Sequence, residues 1–250
     1  RPFVLDIRRA ELDRQVAVKA IKAQYALTAD AIGILIEEVR RIANLDHLHI
    51  LRIYDMGTET VRNVHVFYLV MQLARGGTLA DRLEVGSLGL DEIGRILNQI
   101  CAALDYAHAH GVLHLDLKPG NILFDEQGNV MVADFGLARL IQEVTHSRPD
   151  TETAGRDYMS PEQVSGDSTG PFSDVYTLGI ILHHMLTGDL PKRRPMGADL
   201  ALHLSESLSP AVRSVIETAT HPDPRQRYRT AGELVEAFAR VIAQPTPASS

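Results

Sequence analysis

The sequence has no tryptophan, one cysteine, no long apolar run and no glycine before Gly33. A single thiol cannot close an intrachain disulfide, so no covalent staple is available to the fold. Cys101, set among Ile100, Ala102 and Leu104 at helical spacing, reads as a buried thiol of a reducing, cytoplasmic compartment rather than a nucleophile. No segment approaches the roughly 18 consecutive apolar residues of a membrane span, and none has the pattern of a secretory leader. Positive charge is also in deficit: 25 Lys and Arg against 32 Asp and Glu give a formal net charge of -7. That balance argues against a nucleic-acid partner held through its phosphates. The final "AQPTPASS" cannot pack, and residues 243–250 are expected to begin a linker. What remains is ordinary globular material, 45% hydrophobic and 23% charged over 250 residues, enough for one large domain or two lobes sharing a cleft.

The pattern of the chain favours two lobes. In the first part "RQVAVKAI" reads as a strand, and "ADAIGILIEEVRRIANL" as a helix with Ile32, Leu35, Ile36, Val39 and Ile42 on one face. "ILRIYDMGTE" and "NVHVFYLVMQL" read as two further strands. Beyond Leu90 the periods become helical. "LDEIGRILNQICAALDYAHAHG" places Ile93, Ile96, Leu97, Ile100, Cys101 and Leu104 together and stops at Gly111. "SDVYTLGIILHHMLTG" is apolar nearly all round, a buried central helix with Ser173 as N-cap and Gly188 at its end. A capping box over Thr230–Glu233 opens a last helix that buries Leu234, Val235, Phe238 and Val241. The expected division is a small lobe over 1–75 and a larger one over 76–242, with Gly76-Gly77 at the joint. The fold class is α+β.

Chemistry concentrates in two places. Lys19 closes the branched strand Val16-Ala17-Val18, and "HLDLKPGNILFDEQGNVMVADFG" offers Asp116, Asn121 and Asp134 in short loops beside apolar strands. Hard oxygen donors facing a lysine across a cleft suit magnesium bound with a polyphosphate. His108, His110 and His114 cluster in sequence, but their spacing fits no helical zinc pair.

In order, "VAVK", "HLDLKPGN", "DFG" and "SPE" resemble the motif set of eukaryotic-like protein serine/threonine kinases of bacterial style, over about Val16 to Phe238. The resemblance implies a bilobal protein-kinase-like fold, ATP and Mg2+ as cofactors, and protein substrates. It implies that Lys19 holds the α- and β-phosphates and pairs with Glu38, that Asp116 accepts the substrate hydroxyl proton, and that Asn121 and Asp134 hold magnesium. Lys118 resembles the lysine that neutralises the transferred phosphate in serine/threonine kinases. Ala17 would roof the adenine, Leu123 would floor it, Met71 would be the gatekeeper, and the backbone of Gln72 to Ala74 would bond the adenine edge. Glu162 is expected to pair with Arg227, and Asp174 to brace the catalytic loop. Many such bacterial kinases carry a membrane span after a Pro-rich linker, and "AQPTPASS" has the composition to begin one.

Three departures qualify the resemblance. Leu115 stands where an arginine usually receives a phosphorylated residue, so activity is expected not to depend strongly on phosphorylation at Thr145, Ser147, Thr151 or Thr153. In "TAGRDYMSPEQ" Gly155 is followed at once by Arg156, where similar kinases have a threonine. No glycine hairpin lies between Ile7 and Arg8, and removing a hairpin tip is expected to leave its flanking strands unpaired. A pseudokinase scaffold is therefore the alternative to an enzyme, and a small-molecule phosphotransferase is a third reading.

Overall fold

Branched and aromatic side chains build the first layer. The computed structural model describes residues 7–9, 14–20, 29–61, 64–137, 140, 153–196 and 199–243. Strands β1 (Ile7–Arg9), β2 (Arg14–Ala20), β3 (Ile53–Val61) and β4 (Val64–Gln72) form an antiparallel sheet in the order β1-β2-β4-β3. Helix α1 (Ala29–Ala43) accompanies it, with Leu35 and Val39 wholly buried and Ile42 nearly so. The register sets Ala17 opposite Met71 and Lys19 opposite Leu69. Because alternate residues of a strand share a face, Ala17 and Lys19 point the same way.

The expectation of unpaired strands at the missing glycine hairpin is overturned. Ile7, Arg8 and Arg9 lie opposite Val16, Gln15 and Arg14, so β1 and β2 satisfy each other's backbone directly.

The second layer is mainly helical: α2 (Leu79–Leu83), α3 (Leu90–Ala109), α4 (Thr153–Arg156), α5 (Pro161–Ser165), α6 (Pro171–Thr187), α7 (Pro210–Ala219) and α8 (Ala231–Ile242). Two small hairpins interrupt it, β5 (Ile122–Phe124) with β6 (Val130–Val132), and β7 (Lys192–Met196) with β8 (Asp199–His203). The centre is α6, buried without a break from Ser173 to His183. Ser173 is not its N-cap: Pro171 occupies the first turn, Gly170 is the cap, and the Ser173 hydroxyl accepts the Gly170 N–H at 3.3 Å. Gly188, at φ +77°, ends the helix in the left-handed conformation expected of it. Gly179 lets α7 approach, since a Cβ there would lie 2.7 Å from Thr220 Cγ2 and 2.9 Å from Ala219 Cβ.

One seam joins the layers and another ties two helices of the second. Leu51 N–H donates to Val132 O at 2.9 Å and Val132 N–H to His49 O at 2.8 Å, sewing the end of the α1–β3 connection onto β6. Asp105 of α3 accepts the Ala231 and Gly232 N–H groups at 2.9 and 2.8 Å, so a carboxylate from a distant helix anchors the start of α8. Thr230 also caps α8, accepting from Glu233 N–H at 3.1 Å, but Glu233 reaches back to Arg229 N–H, so the reciprocal half of the expected box falls one residue early. One hydrophobic core runs through both layers, from Leu35 of α1 to Phe238 of α8.

Candidate active site

The site is organised from its buried side outwards. Val132, Ala133 and Phe135 are buried, and the Phe135 ring lies 4.6 Å from that of His114. Between inward-facing neighbours, Asp134 adopts φ +67°, a left-handed conformation that aspartate tolerates better than bulkier residues. Its carboxylate receives Lys19 Nζ at 2.7 Å, and both side chains keep about a fifth of their surface exposed, 22% and 19%. A lysine of β2 thus meets a loop carboxylate 115 residues later in the chain.

Asp174 holds the loop that starts at His114 from beneath. Almost wholly buried, it accepts His114 N–H at 2.9 Å, Leu115 N–H at 2.8 Å and His108 Nε2–H at 2.8 Å. Burial pushes its carboxyl up, but the His108 bond and the neighbouring His114 outweigh that and hold it below the usual carboxylate range. His114 is fixed at both ring nitrogens: Nε2–H donates to Ala133 O at 2.9 Å and Nδ1 accepts Asp116 N–H at 3.3 Å. Burial lowers its basicity, which suits a neutral ring. Leu115, at φ +58°, has both backbone groups engaged, its amide by Asp174 and its carbonyl by Gln163 Nε2 at 2.7 Å. These bonds do not need the side chain, so leucine in place of arginine leaves the loop's scaffold intact.

On that scaffold Asp116, Lys118 and Asn121 converge. Lys118 Nζ lies 2.9 and 3.2 Å from the Asp116 carboxylate oxygens. Asn121 Nδ2 donates to Asp116 O at 2.8 Å and Asp116 Oδ2 at 3.1 Å, which turns its amide oxygen the other way. Nearby, Met71, Ala74 and Leu123 pack against a small apolar cluster of Leu51, Met131 and Ala133. Ala17 is buried opposite Met71. Gln72 N–H donates to Arg52 O at 2.9 Å, so the Gln72 amide is committed within the protein. Gly76 crosses close above β5, donating to Phe124 O at 2.8 Å, where a Cβ would collide with the Asp125 carbonyl.

Two pairings differ in outcome. Glu162 and Arg227 meet bidentately at 2.7 and 2.9 Å, both buried, as expected. The expected Lys19–Glu38 pair is not among the ion pairs of the described residues. Lys19 is taken by Asp134, and Glu38, 41% exposed, pairs with Arg41 one turn along α1 at 3.1 Å. The Glu38–Arg41 contact lies within one helix, whereas a Lys19–Glu38 pair requires α1 to approach β2.

Sequence reasoning missed Leu51, Met131 and Ala133 as the apolar cluster behind Met71, Ala74 and Leu123, although Ala133 adjoins Asp134. It also missed His108 and Gln163, whose partners lie 66 and 48 residues away. The three clustered histidines go to different partners, His108 to Asp174, His110 to Tyr106 O and His114 to Ala133 O. Among the described residues, no three His, Cys, Asp or Glu side chains form a metal-holding group, and no helix is long and apolar enough to cross a membrane. Thr145, Ser147, Thr151 and residues 244–250 lie outside the described residues.

The family model described as protein kinase domain matches residues 3–239. The chain is 35% identical over 235 residues to serine/threonine-protein kinase PrkC of Bacillus subtilis, an alignment covering 89% of this chain and 36% of PrkC. It is 34% identical over 250 residues to serine/threonine-protein kinase PknA of Mycobacterium tuberculosis, covering 94% of this chain and 57% of PknA. The chain therefore spans between about a third and a little over half of the length of these relatives. With the family model matched over nearly the whole chain, this chain belongs to the protein kinase domain family.

Proposed function

We propose that the chain is the catalytic domain of a protein serine/threonine kinase that transfers the γ-phosphoryl group of ATP to serine or threonine hydroxyls of proteins. The observation that carries this reading is the approach of Lys19 to Asp134 across the cleft, beside the Asp116–Lys118–Asn121 cluster. Two protein oxygens, Asp134 carboxylate and Asn121 amide, are few for a dedicated metal cage. They suit magnesium, which is usually bound by one or two carboxylates together with substrate phosphates and waters. When bound, magnesium neutralises the β- and γ-phosphate oxygens.

The residues divide the remaining work. Lys19 offers its ammonium to the α- and β-phosphates, and Ala17, Met71, Ala74 and Leu123 enclose the adenine, with Leu51, Met131 and Ala133 behind them. Asp116 orients the acceptor hydroxyl and takes its proton as the oxygen attacks. Lys118, already paired with Asp116, places positive charge where the phosphoryl group passes. Glu38 is proposed to approach Lys19 through movement of α1. The small lobe is proposed to end near residue 75.

Radiolabelled ATP with magnesium and a generic acceptor protein tests the reading. We expect labelled phosphoserine or phosphothreonine with the wild type and at least a hundredfold less with Asp116→Ala, on the order of a lost general base. No transfer by the wild type would overturn it. The pseudokinase reading has the missing glycine hairpin in its favour, and it would be adopted if calorimetry also detected no ATP–magnesium binding.

A further inference from the structure

His183 and His184 stand side by side near the end of α6, and each reaches a different neighbour. His183, 2% exposed, has Nδ1 3.0 Å from Asp189 O and Nε2 3.1 Å from Ser205 N. A carbonyl can only accept and a backbone amide can only donate, so Nδ1 carries the hydrogen and Nε2 is bare. The carbonyl and the amide hold the ring as one neutral tautomer, with Thr187 Oγ1 also 3.4 Å from Nδ1. Asp189 precedes β7 and Ser205 follows β8, so this single ring spans the base of the hairpin. Asp189 O has a second donor in Thr187 Oγ1 at 2.9 Å. Ser205 O is held by Arg213 Nη2 at 2.8 Å, but the Ser205 N–H is directed at His183.

The next residue grips the other side. His184 Nδ1 lies 2.9 Å from the Tyr158 hydroxyl, and Thr177 Oγ1 donates to Tyr158 O at 2.9 Å. Tyr158 belongs to the segment that begins beside the catalytic lysine, where a Cβ on Gly155 would lie 3.9 Å from Lys118 Nζ. Successive imidazoles of α6 thus fasten the base of the hairpin and the Tyr158 segment to one stretch of helix.

We propose that His183 is a positioning residue for protein substrates: its neutral ring clips the base of the β7–β8 hairpin to α6, whose next residue holds Tyr158, and protonation at Nε2 releases Ser205 and loosens the hairpin. This rests on the kinase reading above. The proton comes from solvent and no covalent bond changes. The charged groups that face His183 are the Asp189 carboxylate, which favours a charged ring, and His184 and Arg213, which oppose it. Burial is the largest influence and also opposes charge, so the ring titrates below the ordinary histidine range and the clip opens under mild acidity. Lys19, Asp116 and Asp134 make no bond to the hairpin among those described, so nucleotide binding does not follow the clip.

Hydrogen exchange of the Ser205 amide in the full chain, corrected for the intrinsic pH dependence of exchange, tests the clip directly. Opening linked to uptake of one proton near the free histidine pKa predicts about tenfold less protection at pH 5.5 than at pH 7.5. In His183→Gln, whose Oε1 still accepts from Ser205 but cannot titrate, protection should stay level. In kinetics, the KM for a protein acceptor should rise with acidity in the wild type more than in His183→Gln, while the KM for ATP changes alike in both. Protection independent of pH in the wild type, or falling equally in the variant, overturns the proposal. If the variant does not fold, ring nitrogen shifts of the wild type decide, since a His183 ring bearing its hydrogen on Nε2 at pH 7.5 also overturns it. Exchange and ring shifts need no phosphoryl transfer, so their failure is distinct from failure of the kinase reading.

Discussion

Replacing Glu162 by glutamine isolates the buried ion pair that ties α5 to the loop before α8. Arg227 is completely buried at its side chain and Glu162 is 7% exposed. Glutamine keeps the volume and one oxygen acceptor, but it turns an NH2 group either toward Arg227 Nη2 or toward both Arg227 Nη1 and the Ser173 hydroxyl, donors that are now satisfied. Removing one partner of a buried pair costs about 3–5 kcal/mol. Arg227 retains the carbonyls of His221, Phe172 and Pro222 and its place 4.8 Å from the Tyr176 ring centroid, which argues for the lower end. We expect a loss of about 3 kcal/mol in urea unfolding at pH 7, or a fall of about 6–12 °C in Tm for a chain of this size. The sign of the pH dependence follows. Burial alone would raise the Glu162 carboxyl, but Arg227 and Ser173 hold it below the usual range, so the unfolded chain binds its proton first as pH falls. The pair's contribution is therefore complete above the ordinary glutamate pKa of about 4.3 and declines below it, narrowing the gap between wild type and variant. A loss under 1 kcal/mol at pH 7, or a gap that widens below pH 4, would refute the reasoning.

Three further perturbations follow from the geometry. Asp174→Asn cannot accept all three bonds now made, so we expect about 1–3 kcal/mol less stability by urea titration. Phosphoryl transfer should fall about a hundredfold as Asp116 loses its placement, and activity within threefold of wild type would contradict the bracing role. Gly179→Ala drives a methyl into Thr220 and Ala219, which should cost about 1–3 kcal/mol in the same titration; an unchanged midpoint would show that α6 and α7 can separate. Cys101 is buried, and burial together with Asp105 raises its thiol pKa well above the usual value, so iodoacetamide should label it only after unfolding. Fast labelling of the native protein would contradict that burial.

Local pattern carried much of the fold. Ile93, Ile96, Leu97, Ile100, Cys101 and Leu104 are buried as their spacing predicts, and Gly111, at φ +73°, lies just beyond α3. On α1 the same reading was coarser, since Leu35, Val39 and Ile42 are buried while Ile32 and Ile36 are only partly so. The strand expected to begin at Ile50 starts at Ile53, because Ile50 is diverted into a bridge with Val132. The β7–β8 hairpin was not legible: "KRRPM" is basic and contains proline, and "DLALH" reads as helix, so neither segment announces a strand. Motif order brought Lys19, Asp116, Lys118, Asn121 and Asp134 into view. It did not reveal that Lys19 meets Asp134 rather than Glu38, or that His108 and Gln163 support the loop. Those choices depend on side chains brought together only after folding, and no local period encodes them.

The carboxylate of Asp105 at the first turn of α8 decides how this domain would bear a mechanical load. Tension applied beyond Ile242 would enter the helix at its last turn and peel it from α3 residue by residue, as a strip of tape lifts, instead of shearing the whole contact at once. The anchored first turn would yield last, leaving the Asp174-braced loop insulated from modest pulling on the C-terminal side.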